Sequence, residues 1–134
     1  MKTASKTYEI LYVSTMAADA PLAIVGAVAA HARIANAACD ITGVLIFDGV
    51  RFCQQIEGRQ KDVLALMERI YQDARHFNIE MFHHGPLPGR RFNHFSMAFS
   101  NIEEIGVLER LEQLNGQQGV DVFMALIATL NLQA

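Results

Sequence analysis

The sequence has no tryptophan and only two cysteines, Cys39 and Cys53, among its 134 residues. Two thiols are too few for a disulfide framework, and the absence of CxxC spacing excludes a zinc knuckle. No run reaches the ~18 uninterrupted apolar residues that a membrane-spanning helix needs. No Gly-rich phosphate loop, internal repeat or low-complexity linker is present. Excess charge is also lacking: eleven Lys and Arg against 14 Asp and Glu give a net charge of −3. That balance argues against a nucleic-acid partner and against a polybasic membrane anchor. Ala17 to Ala30, behind Lys2 and Lys6, imitates a signal peptide. However, Glu9 lies in the would-be basic region, and Asp19 and Pro21 interrupt the apolar run, so a cytoplasmic protein is expected.

What is present is a globular composition, 51% hydrophobic and 19% charged. A chain of this length buries about two thirds of its unfolded surface. Tyr8 to Val13 reads as a strand, rich in β-branched and aromatic residues. Asp19-Ala20-Pro21 is a helix start signal. The helix runs to about Asn36, with Val25, Ala29, Ala32 and Asn36 on one stripe. Ile41 to Phe47 and Val50 to Ile56 are strands joined at Asp48-Gly49, a two-residue hairpin signal. Gln60 to about Ala74 is a helix with Val63, Met67 and Ile70 on one face. Ile79 to His83 and Phe92 to Phe99 are two further strands flanking a Gly85–Gly89 loop. Helices follow at about Glu103 to Leu114 and about Val120 to Leu130.

The order β-α-β-β-α-β-β, then helices, predicts an α+β fold, a ferredoxin-like sandwich with an added strand and a helical tail. Ile10 and Tyr12 oppose Leu11 and Val13; Val44 and Ile46 oppose Leu45 and Phe47. Both sheet faces are therefore apolar and both need covers. The two helices between strands supply one. The tail helices, or those of a partner subunit, supply the other.

Three polar residues break the apolar pattern. Tyr12 is in phase with Ile10, Gln54 with Phe52 and Ile56, and Asn36 lies on the apolar helix stripe. A buried amide costs a few kcal/mol unless hydrogen-bonded. These three either bond one another and the backbone, or line a polar site within an apolar shell. Such a site suits a planar heteroaromatic ligand with carbonyl and ring-nitrogen edges.

In order along the chain, Tyr12-Val13-Ser14, Asn36, Ile41-Thr42-Gly43-Val44-Leu45, Gly49 and Phe52 through Gly58 resemble the BLUF photoreceptors, blue-light sensors that hold FAD. Asp73-Ala74-Arg75-His76, Arg90-Arg91-Phe92 and Phe95-Ser96-Met97 continue the match, which covers roughly residues 7–100. The resemblance implies a flavin-binding unit over residues 1–100, with residues 101–134 as a helical extension. It places FAD between the two crossover helices, the ring pointing into the core. Asn36 would bond the ring's polar edge. Tyr12 would give an electron and a proton to the excited flavin. Gln54 would bridge the two and rearrange on illumination, shifting the absorption to the red. Arg75 and His76 match flavin contacts, or else form a solvated helix end. Ser14 matches a serine near the tyrosine, or is a strand-end residue. Met97 matches a methionine near the glutamine, or fills the core. Phe95 stands where many relatives carry Trp, so it offers no indole N–H and no competing electron donor. Ala35 replaces a position often polar in relatives. FMN or riboflavin could stand in for FAD, because the phosphate end leaves no motif.

Cys53 points away from Gln54 and reads as packing. His83, His84 and His94 read as surface or strand-end histidines rather than metal ligands, and Arg90-Arg91 as a solvated basic patch. No enzyme domain fits after the sheet, so output would pass to an unidentified downstream protein, from a homo-oligomer with no nucleic-acid or membrane partner. The competing readings are a light-independent flavin-binding oxidoreductase and a ligand-free ferredoxin-like interaction module.

Overall fold

The computed structural model describes residues 7–18, 24–92, 96–102, 106–130 and 132. Five strands form one sheet in the order β4-β1-β3-β2-β5. They are β1 (Thr7–Met16), β2 (Thr42–Phe47), β3 (Arg51–Arg59), β4 (His76–Leu87) and β5 (Ala98–Asn101). β1 pairs antiparallel with β3 and β4, β2 pairs antiparallel with β3, and β5 adds parallel to β2. Helices α1 (Ile24–Ala38) and α2 (Gln60–Gln72) connect the strands, and α3 (Val107–Leu111) and α4 (Gly116–Ile127) follow β5.

Strand alternation sorts the apolar residues into two cores. Ile10, Tyr12, Leu45, Phe52 and Ile56 face Val25 and Ala29 of α1 and Val63 and Met67 of α2. Leu11, Val13, Val44, Ile46 and Cys53 face Leu108 and Leu111 of α3 and Phe123 of α4. α4 approaches the sheet at Gly119, where a Cβ would sit 2.5 Å from the Phe82 ring. The helix expected from about Val120 thus takes in Gly119 as well. The missing side chain of Gly119 is what lets the helix pass close over β4. Arg51 pairs with Glu112 at 2.7 Å and ties the end of α3 to the start of β3.

Three further boundaries differ from expectation. β4 runs on to Leu87 through the expected Gly85–Gly89 loop. As the sheet's outer strand it tolerates Pro86, whose missing N–H faces no second neighbour. The strand expected from Phe92 starts at Ala98, and Phe92 lies in a turn on the second core. The β2–β3 turn contains Asp48, Gly49 and Val50 rather than two residues. The Asp48 carboxylate accepts from the N–H groups of Val50 and Arg51 at 2.9 and 2.7 Å, and Gly49 takes φ +100°. The helix start at Asp19–Pro21 lies outside the described residues.

Candidate functional site

α1 ends in a motif that fixes Asn36. Asp40 adopts a left-handed φ of +53°, and the N–H of Ile41 bonds back to the Asn36 carbonyl at 2.8 Å. The N–H of Asp40 reaches the Ala37 carbonyl at 3.3 Å, which completes a Schellman closure without glycine. The Asn36 side chain is thereby held on the inner face of α1, buried, with Nδ2 donating to the Ser96 carbonyl at 2.9 Å. Arg33, one turn earlier, donates through Nε to the Met97 carbonyl at 3.0 Å. Two consecutive backbone carbonyls of the segment before β5 are therefore gripped by one helix.

The β1–β3 register sets Tyr12 opposite Gln54. The Tyr12 hydroxyl donates to Gln54 Oε1, and Gln54 Nε2 faces the Met97 sulfur at 3.9 Å. Tyr12, Gln54 and Met97 thus form one buried line. Burial pushes the Tyr12 phenol well above its ordinary pKa, with smaller contributions from Cys53 and Asp73. A phenol in this setting keeps its proton at any ordinary pH.

Beside this line lies a cavity of about 230 Å³ between α1 and α2. It far exceeds the ~30 Å³ share of a single water. Val28, Ala32, Ala35 and Asn36 of α1 line it, with Tyr12, Leu45, Phe52 and Gln54 of the sheet and Leu66 and Ile70 of α2. The walls are mainly apolar, and the amides of Asn36 and Gln54 supply donors and acceptors at the inner side. Exposed His31 and Arg69, with Asp73 and Arg75, complete the lining. Arg75 forks onto Asp73, Nη2 to Oδ2 at 2.5 Å and Nε to Oδ1 at 2.9 Å. That hydrogen bond holds the Asp73 carboxyl below its ordinary pKa.

His76 also lines the cavity, but both ring nitrogens are engaged: Nδ1 with Ser14 Oγ at 2.7 Å and Nε2 with the Ile70 carbonyl at 2.8 Å. Its ring lies edge-on to Tyr12 at 6.2 Å. His76 and Ser14 therefore brace β1 against the end of α2 beside the phenol. Phe95 and His94 lie outside the described residues.

A second polar group lies on the opposite sheet face. Glu9, Gln55 and Glu57 are fully buried. Arg91 forks onto Glu9 at 2.9 and 3.0 Å. His83 stands 3.4 Å from the same carboxylate. Gln55 Nε2 donates to Glu57 at 2.9 Å and to Glu9 at 3.2 Å. Arg90 reaches the Asp40 carbonyl at 2.7 Å and Thr42 Oγ1 at 3.0 Å. Arg90 and Arg91 are thus not the solvated patch expected from sequence, because the carboxylates and carbonyls of neighbouring strands draw both against the sheet. Alternation carried the signal for this group: Glu9 is in phase with Leu11 and Val13, and Gln55 and Glu57 with Cys53.

Comparison with known proteins agrees with this geometry. A family model described as "BLUF: Sensors of blue-light using FAD" matches residues 7–98. The blue light- and temperature-regulated antirepressor BluF of Escherichia coli K12 is 33% identical over 93 residues, 69% of this chain and 23% of that protein. The chain thus spans less than a quarter of that curated relative. The dark-state structure of BlrB, a BLUF protein, superposes with a TM-score of 0.79 at 30% identity, over 94% of this chain and 98% of that one. The BlsA ground state shares the fold at a TM-score of 0.81 and 23% identity, over 96% and 91% of the two chains. The cavity between α1 and α2, with Tyr12 and Gln54 beside it, is thus found in a chain that belongs to the BLUF family, the sensors of blue light using FAD.

Proposed function

We propose that this blue-light sensor works through the line Tyr12–Gln54–Met97, with FAD held between α1 and α2. The observation that carries the reading is the Tyr12 hydroxyl bonded to Gln54 Oε1 beside the cavity, with the same amide reaching Met97. The donor set fits the cofactor: amides of Asn36 and Gln54 offer both donors and acceptors to a ring carrying carbonyls and ring nitrogens, within apolar walls. When bound, FAD supplies the blue absorption and an excited-state electron acceptor.

The chain's own residues do the rest. Asn36 orients the ring's polar edge, and the α1 and α2 side chains exclude water from it. Arg69, His31 and Arg75 suit the charged end of the cofactor. Tyr12 is the oxidisable group. Its buried phenol resists ionisation in advance, so the hydroxyl proton leaves only with the electron or after it. The proton departs along the hydrogen bond that the hydroxyl makes to Gln54 Oε1. A side-chain amide turned end for end exchanges its donor and its acceptor. Gln54 is therefore the group that records the event after the electron and proton have returned to Tyr12.

The record is passed to the segment gripped by Asn36 and Arg33 at Ser96 and Met97. β5 begins at the next residue, Ala98, which lies in the second core with the tail helices. Residues 1–100 are the flavin-binding unit in this reading, and residues 101–134 carry the signal to a cytoplasmic partner protein, from a homo-oligomer, with no catalysis of their own. Among the described residues, no helix is long and apolar enough to cross a membrane.

The test is the visible spectrum of the purified protein in the dark, under blue light, and in the dark again. A flavin spectrum that shifts reversibly to the red is expected. A flavin spectrum that bleaches with NADH and turns over would favour a light-independent oxidoreductase instead, and a protein that stays colourless after reconstitution would leave only an interaction module.

A further inference from the structure

Glu57 stands on β3 three residues after Gln54, on the opposite face of the sheet. It is fully buried, and both oxygens are saturated. Oε1 accepts from the backbone N–H of Arg91 at 2.8 Å and from Gln55 Nε2 at 2.9 Å. Oε2 accepts from the backbone N–H of Phe92 at 3.0 Å and from Thr42 Oγ1 at 2.6 Å. A carboxylate that takes two successive main-chain N–H groups is a main-chain anchor, and its charge-assisted bonds are about twice as strong as neutral ones.

What it anchors matters. Phe92 lies in the core under the tail helices, and Met97 lies in the core beside the cavity. Phe92 and Met97 thus belong to the cores on opposite faces of the sheet. The Phe92 end is held on β3 by Glu57. The other is held on α1 by Asn36 and Arg33 and touches Gln54, also on β3. The Met97 end can respond to the orientation of the Gln54 amide. The Arg91–Phe92 end is bound to a carboxylate that has no free lone pair to rearrange.

We propose that Glu57 is a positioning residue for the light response: a fixed pivot, on the far face of the sheet, against which the Ser96–Met97 segment moves when Gln54 rearranges. With Arg91 and Phe92 held, movement of that segment is delivered to β5 and the tail. This inference rests on the Gln54 reading above and extends it to a residue that touches neither cofactor nor phenol.

Amide-resolved hydrogen exchange on the FAD-bound full chain, dark and under blue light, tests it. In the unaltered protein the Arg91 and Phe92 amides should keep equal protection in both states, while residues from Met97 onward change. Deprotection of Arg91 and Phe92 in the light would overturn the pivot. Glu57→Gln replaces one acceptor oxygen with a donor, so protection at these two amides should fall roughly tenfold or more. The reversible red shift should survive, and the light-minus-dark difference beyond Ala98 should vanish. Arg91→Ala breaks the pair with Glu9 but keeps the main-chain N–H, and so should keep the difference. A folded Glu57→Gln protein with an undiminished difference beyond Ala98 would overturn the proposal. So would loss of the difference in Arg91→Ala as well, which would mark a general stability effect. Should Glu57→Gln fail to fold, the dark and light comparison on the unaltered protein decides alone. An unaltered protein without a red shift would instead sink the photochemical reading beneath it.

Discussion

Tyr12 and Gln54 face each other across the β1–β3 ladder, and the phenol donates to the amide oxygen. The contact is a consequence of register. A slip of one residue would turn Gln54 to the far face and bring Cys53 or Gln55 opposite the tyrosine. The proposed photochemical pair is therefore set by the same hydrogen bonds that set the sheet, and the response should be sensitive to both.

Tyr12→Phe keeps the ring and removes the hydroxyl. The packing of the aromatic ring against His76 should survive, and FAD should still bind. The light-induced red shift should be lost, because the oxidisable group and its transferable proton are gone. Gln54 Oε1 loses its donor in a buried setting, which costs about 1–3 kcal/mol of stability. Absorption spectra before and after blue light, with a thermal melt, measure both effects. A red shift of full size in the variant would remove Tyr12 from the donor role.

Gly43→Ala should disturb the sheet beneath the cavity. A Cβ at Gly43 would collide with the Gln55 carbonyl oxygen and lie 3.0 Å from its carbonyl carbon. The obstacle is backbone of the paired strand, which cannot rotate away. The β2–β3 pairing must open locally, at the residue next to Gln54. The expected loss is about 1–3 kcal/mol, the usual range for overpacking in a core. Chemical denaturation of the variant against the parent checks it. A midpoint unchanged within error would show that the two strands have room the structure does not give them.

Much of this was legible in the chain because strand alternation is a rigid code. The opposing phases of Ile10 and Leu11, and of Val44 and Leu45, announced two cores, and the tail helices fill the second. Tyr12, Asn36 and Gln54 stood out because each is polar where an apolar residue belongs. The Glu9–Gln55–Glu57 group obeys the same rule on the other face. Its carboxylates become intelligible only once Arg91 and the N–H groups of the segment after β4 are brought to them, by a loop whose path no local pattern specifies. The same limit explains β4. Gly85 and Pro86 are turn formers by propensity, and only an outer position in the sheet makes them strand residues. The sharing of His76 between Ser14 and the end of α2 is likewise a tertiary fact.

Two buried protons should make the protein sensitive to alkali. Burial raises the pKa of the Tyr12 phenol from 10.0, and that of the Cys53 thiol from 9.0. In both cases loss of solvation of the charged form is the main cause. The folded state therefore holds both protons after the unfolded chain has released them. Stability is fully present below the ordinary thiol and phenol values. It falls as pH rises beyond them, because the unfolded state is then the one that gains by ionising. Each group contributes a slope of about 1.4 kcal/mol per pH unit. Denaturation midpoints between pH 8 and pH 11, on the scale of those ordinary values, should show a decline that steepens once the phenol value is passed. Tyr12→Phe should remove that steepening and leave the Cys53 slope, about half of the parent's final slope. A parent and variant with parallel pH profiles would mean that the phenol ionises in the fold, and would remove the premise that Tyr12 still carries its proton when the electron leaves.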